Sequence, residues 1–246
     1  MATQAEPVPE PRIPLSRERV LRAAVKIADE RGIESLTMRR LAEALGSEAM
    51  SLYYHVANKE DVLDGIVDLI AEEINGVVDQ IDVPSKCADW KKAVRQRILS
   101  AREVFLRHPW APRVFETRTG LSPAVVRYHD RLVGLMRDGG FSYDLAHHAL
   151  HALGSRALGF TQELFDPGEG SGGGDPNATL ESIADQVPHL VGMMMEIAHD
   201  DPDSTLGWCD DQIEFEFGLD LILDGLDRMR ETAPPPRSRR GRSTRT

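Results

Sequence analysis

Cysteine is almost absent from this 246-residue chain: only Cys87 and Cys209 occur. Two cysteines cannot build a disulfide framework, and their spacing fits no zinc motif. A stapled secreted domain and a metal finger are therefore disfavoured, and a reducing, cytoplasmic setting is expected. No apolar run approaches the ~20 residues of a membrane span, and the opening MATQAEPVPEPRIPLS has no apolar centre of the kind a signal peptide carries. Convincing period-two alternation and hairpin signals are missing, which disfavours the sheet classes. There is no phosphate-cradling glycine loop, no nucleophile elbow and no complete metal set, so neither an enzyme nor a cofactor is expected. A basic excess is missing as well: the formal net charge is −11.

That average hides a partition. Residues 1–60 carry nine Lys/Arg and nine Asp/Glu, residues 61–230 carry 15 against 30, and residues 231–246 carry five Arg and one Glu. Local charge governs contact with a polyanion, so the acidic middle resists non-specific coating of DNA while the two ends are free to touch phosphates.

What is present is helical periodicity. Residues 1–15, with Pro7, Pro9, Pro11 and Pro14, read as a flexible arm, and 233–246, with Arg237, Arg239, Arg240, Arg242 and Arg245, as a disordered tail. A first helix opens at Ser16 and stops at Gly32, with the stripe Val20, Ala24, Ile27, Ala28. A second is capped by Thr37 and stopped by Gly46. A short third runs from about Glu48 to Tyr54. A fourth follows Asn58 and closes before Pro84. Further helices are expected near 88–107, 109–118, 122–138, 142–165, 178–199 and 206–231, with a glycine-rich loop at 167–176. The expected fold is all-α: a three-helix helix-turn-helix domain at 16–60 and a larger helical domain at 61–232.

The helix–Gly turn–short helix between Thr37 and Tyr54 is the pattern in which the second helix enters a DNA major groove. Leu41, Ala42 and Leu45 face the first helix and Leu52 anchors the short one. This leaves Glu48, Ala49, Met50, Ser51, Tyr53 and Tyr54 with surface outward. The order and spacing of LTMRRLAEALG, SLYYHV and NKEDVLDGI over about 50 residues closely resemble the DNA-binding domain of the tetracycline-repressor (TetR) family. Weaker likeness continues through Trp90, His108-Pro109, Gly140-Phe141, Leu158-Gly159, Glu163 and the run 217–229, which look like the ligand-binding and dimerisation domain of the tetracycline-repressor branch.

The resemblance implies a dimeric transcriptional repressor, released from a palindromic operator by a small molecule. An activator, or a regulator answering a protein partner, fits the same residues. On the DNA side it places Arg39 in the major groove, where its fork suits a guanine edge. Glu48, Ala49 and Met50 take the base-facing start of the recognition helix. Ser51, Tyr53, Tyr54 and His55 fall at groove and phosphate positions. Lys59 stands where a helix start favours phosphate, and Thr37 can both cap its helix and face a phosphate.

For the ligand the resemblance points to Asn75, Arg97, Ala101, Phe115, His129, Leu132, His151 and Glu163. A histidine that binds drug-held magnesium in tetracycline repressors aligns with Phe115, which cannot do so; this speaks against magnesium-tetracycline as the effector. His147 and His151 share a helix face at a spacing able to bind metal, and they are the residues on which the alternative of a His-dependent metalloenzyme would rest.

Dimerisation is expected on the last helix. Phe215, Leu219, Ile222, Leu226 and Met229 form one stripe and Ile213, Phe217 and Leu221 a second. A helix apolar on two faces must be covered on both. The first stripe, with Gly218 and Gly225 for close approach and Ala149, Leu153 and Ala157 on the 142–165 helix, is the expected partner surface.

Overall fold

The structure, a computed structural model, describes residues 14–81, 90–120, 122–159, 184–197 and 211–232. Residues 1–13 of the arm, the glycine-rich stretch 167–176, Glu163 and the Arg-rich tail lie outside the described residues. Among those described there is no strand. The helices are α1 (Arg17–Arg31), α2 (Met38–Leu45), α3 (Ala49–Leu52), α4 (Lys59–Val78), α5 (Trp90–Arg107), α6 (Ala111–Thr117), α7 (Pro123–Asp138), α8 (Tyr143–Gly159), α9 (Pro188–Ile197) and α10 (Asp211–Thr232).

The helix starts follow from single side chains. Ser16 Oγ accepts the Arg19 N–H at 3.2 Å, Thr37 Oγ1 accepts the Arg40 N–H at 3.1 Å, and Asn58 Oδ1 accepts the Asp61 N–H at 2.9 Å. Each satisfies one of the donors a helix start leaves open. Gly46 ends α2 at φ 61°, ψ 35°. The space around it is empty, so the left-handed backbone, and not crowding, is what favours glycine there.

The chain divides into two compact units. One comprises Met1–Val77 and Glu103–Arg127; the other comprises Val78–Arg102 and Tyr128–Thr246. The boundary expected at 60/61 thus falls inside α4, nearly all of which belongs with the helix-turn-helix. The reason is packing. A Cβ on Gly65 of α4 would lie 2.6 Å from the Leu21 side chain of α1, so glycine lets the two helices close up. His108, buried, adds a polar clamp: Nδ1 is 2.7 Å from Asp29 Oδ1 on α1 and Nε2 is 3.3 Å from Glu73 Oε2 on α4. Trp110 Nε1 donates to the same Asp29 oxygen at 2.7 Å.

In the second unit the core is built from Trp90, Val94 and Ile98 of α5, Leu132 and Met136 of α7, Phe141, Ala146, Ala149 and Leu153 of α8 and its approach, and Phe215, Leu219, Leu223 and Leu226 of α10. The Trp90 and Phe141 rings meet edge to face, centroids 4.5 Å apart. Charge then fixes the register of α10 on α5: Arg95 donates to Asp220 at 2.7 Å and to Glu216 at 2.6 Å, and Lys91 pairs with Asp224.

Much of the expected dimer surface is turned into this core. Ala149, Leu153, Phe215, Leu219 and Leu226 are buried within the protomer, and Ile222 packs against the same core. Gly218 gives room to a side chain of its own protomer, since a Cβ there would lie 2.7 Å from Arg156 Cζ. Ala157 and Gly225 are half-buried. The large apolar side chains that stay exposed on α10 are Ile213, Phe217, Leu221 and Met229; Phe217 is 61% exposed. Gly225 lies in the same four-residue rhythm, with nothing within 4 Å of where its Cβ would be.

Candidate nucleic-acid interface and ligand site

α3 is one turn long, and its role rests on which side chains it sinks. Leu52 is fully buried. Around that anchor Met50 is 71% exposed, Tyr54 89% and Tyr53 46%. Glu48 is exposed at the start of α3, where its side chain makes no capping bond. Ala49, Ser51, His55 and Lys59 are half-buried and Thr37 is exposed. Arg39 stands out from α2, its side chain 89% exposed and paired with Glu43 one turn on at 2.9 Å. Every expected DNA residue therefore keeps some accessible surface.

Residues that sequence reasoning missed hold this head in shape. Arg17 of α1 grips Asp61 of α4 with two bonds, at 2.6 and 2.9 Å, and donates to the His55 carbonyl at 3.3 Å. Asp61 also accepts the Ala57 N–H at 2.7 Å. The hydrogen bonds from Arg17, ahead of that from Ala57, hold the Asp61 carboxyl below its ordinary range. Arg40 Nη1 donates to the Ser35 carbonyl at 2.8 Å and ties α2 to the turn before it. A charged pair far apart in sequence, such as Arg17 and Asp61, leaves no periodic signal.

The expected ligand residues fall in both units. In the first, Asn75 is buried; its Nδ2 donates to the Ala124 carbonyl at 3.0 Å while its Oδ1 has no partner among the described residues. Phe115 is half-buried and sits edge to face on Phe105, centroids 5.5 Å apart. In the second, Arg97, Ala101 and Leu132 are buried. His129 is exposed, its ring centroid 6.0 Å from that of Tyr128. His151 is exposed and faces His147 edge-on at 4.6 Å. Among the described residues no group of three or more His, Cys, Asp or Glu could hold a metal ion, and no helix is long and apolar enough to cross a membrane.

A helix-turn-helix with an exposed recognition turn, joined to a helical body with its own core, defines a helical DNA-binding regulator. Residues 20–66 match the family described as bacterial regulatory proteins, tetR family, and residues 83–230 match the tetracyclin repressor-like C-terminal domain. The chain belongs to the TetR family of bacterial regulatory proteins. It is 30% identical over 234 residues to the HTH-type transcriptional repressor DrrR1 of Streptomyces coeruleorubidus, covering 91% of this chain and 83% of that one. It is 30% identical over 223 residues to the tetracycline repressor protein class C of Escherichia coli, covering 89% and 93%. Among solved structures, the Streptomyces coelicolor TetR family protein ActR in complex with actinorhodin superposes with a TM-score of 0.65 at 27% identity, over 88% of this chain and 98% of that one.

Proposed function

We propose that the protein is a dimeric repressor that binds a palindromic operator through Arg39, the α3 turn and Lys59, and leaves it when a small molecule occupies the helical body. The observation that carries this reading is the exposed Met50–Tyr54 surface built around the buried Leu52. Met50, Tyr53 and Tyr54 lie exposed together on one turn, and an exposed apolar cluster of this kind, unlike a single exposed side chain, marks a surface that meets a partner. The names of the relatives support repression, and the actinorhodin complex supports a small-molecule effector.

The surface of Phe217, Leu221 and Gly225 is the proposed dimer contact. Covering each large apolar side chain contributes about 2 kcal/mol, and the empty space at Gly225 permits a second backbone to come close. Two heads related by a dyad then read half-sites roughly 34 Å apart. Release by a ligand is a population shift and demands unequal affinity for the two states.

The test is a footprint on the DNA flanking the protein's own gene, at low and near-physiological salt. A bounded, roughly palindromic protected site that survives the higher salt is expected. Protection seen only at low salt, without boundaries, would mean phosphate contact alone and would sink the operator reading.

A further inference from the structure

On the reading that the helical body takes a small-molecule effector, we propose that Arg97 and Tyr128 form the polar anchor of a binding site for an organic oxyanion: a carboxylate carried on an apolar body.

The argument begins with the cations of α5. Lys91 pairs with Asp224, Arg95 with Glu216 and Asp220, and Arg107 with Glu73. Arg102 donates to Gln212 at 3.1 Å and lies over the Phe215 ring. Lys92 points to water. Arg97 does neither. It is only 6% exposed, its Nε is buried with no hydrogen-bond partner, and no carboxylate approaches it among the described residues. A buried guanidinium without a counter-charge is strongly unfavourable, and native cores hold such groups only where something else completes them.

Tyr128 is the second half of the arrangement. Its hydroxyl oxygen is buried and also without a hydrogen-bond partner among the described residues. Tyr128 and Arg97 are the charge neighbours of one another, and burial pushes the phenol well above its ordinary value, so the hydroxyl stays protonated and able to donate. Burial pushes Arg97 down from its very high starting value, yet a guanidinium keeps its charge in proteins. The pair therefore offers donors and a positive charge, and what is missing is an anionic acceptor. A planar fork suits the two oxygens of a carboxylate.

The surroundings set the rest of the ligand. Ala101 lies one turn beyond Arg97 on α5 and Leu132 one turn beyond Tyr128 on α7, and both are buried. Tyr128 itself packs against the core that contains Val94, Ile98 and Leu132. An anion with a large hydration shell and no apolar part is a poor match for such buried apolar neighbours, whereas a carboxylate on a hydrocarbon or aromatic body suits them.

The experiment is calorimetric titration of the full-length protein with octanoate, benzoate and 2-naphthoate, each against its primary amide, for wild type, Arg97→Met, Arg97→Lys and Tyr128→Phe. Thermal unfolding without ligand and operator footprints are run beside it. At least one acid is expected to bind wild type tenfold or more tightly than its amide. Arg97→Met is expected to remove that preference and to raise the melting temperature of the ligand-free protein, because it removes an unpaired buried charge. Arg97→Lys keeps part of the preference, and Tyr128→Phe lowers it by a smaller factor. If Arg97→Met fails to fold, the Lys and Phe variants still report the preference. Equal affinity for every acid and amide, or an acid preference unchanged across the variants, overturns the inference. A clean operator footprint alongside such a result leaves the repressor reading standing. A failed footprint alongside a variant-sensitive acid preference does the reverse.

Discussion

Asp61 shows how much of the DNA-binding head depends on single side chains. Its carboxylate accepts two bonds from Arg17 and one from Ala57, joining α1 to the start of α4. Because its pKa is lowered on folding, the stabilisation is present above the unfolded value of about 3.9 and is lost as pH falls through the lower folded value. Asp61→Asn is expected to cost about 1 kcal/mol at neutral pH, a modest figure because both partners are partly in water. The difference from wild type is expected to shrink toward pH 2 in a pH series of urea melts. Tyr54 makes the opposite case. Tyr54→Ala is expected to leave the melting temperature within about 1 °C, as an exposed substitution should, while weakening operator binding about tenfold. Stability lost together with binding would show that Tyr54 is a packing residue instead. Much at this scale was legible in advance. Ser16, Thr37 and Asn58 were readable as caps and Gly46 as a stop, because capping is decided within four residues. Tyr128 was overlooked although it stands four before Leu132 on the same helix, since a lone tyrosine at core spacing looks like filler until its hydroxyl is seen to lack a partner.

Among the helices, α10 carries the clearest lesson. Its two apolar stripes were both visible in the sequence, but periodicity says that a face is covered and not by what. The Phe215 stripe is taken by the protomer's own core, whereas Phe217 and Leu221 stay exposed and are the contact proposed for a partner. Two substitutions two residues apart from one another should then behave differently. Phe217→Glu is expected to give a folded monomer by sedimentation, with unchanged helical circular dichroism and no operator binding at nanomolar concentration. Leu219→Glu buries a charge in the core and is expected to abolish cooperative folding. A dimeric Phe217→Glu protein would remove this stripe from the interface. Residues 160–165, where the 142–165 helix was expected to continue, lie outside the described residues; α4, expected to close before Pro84, ends at Val78, and an element end without a cap residue is where periodicity is weakest.

For the whole molecule, charge and packing divide the chain at different places. The composition changes near residue 60, whereas the first compact unit runs to Val77 and recruits 103–127 as well. Such a boundary depends on contacts between distant segments, like those of His108 with Asp29 and Glu73, and composition does not encode them. The charge partition still has a measurable result. Lys59 is the one lysine in the proposed interface, so a dimer presents two. Lys59→Ala is expected to weaken binding to every sequence alike and to reduce the slope of log K against log salt by about 2. An unchanged slope would remove Lys59 from phosphate contact.

The open stripe on α10 also has a genetic reading. If Phe217 and Leu221 of one copy must meet the same residues of another, subunits made in one cell are shared out between dimers by chance. A copy with Arg39→Ala keeps the stripe and loses a reading side chain, so it enters mixed dimers with one impaired head. Made in equal amounts, the two copies would leave only about one dimer in four with both heads intact. Loss of repression would then be dominant, and adding Phe217→Glu to the same copy would make it recessive again.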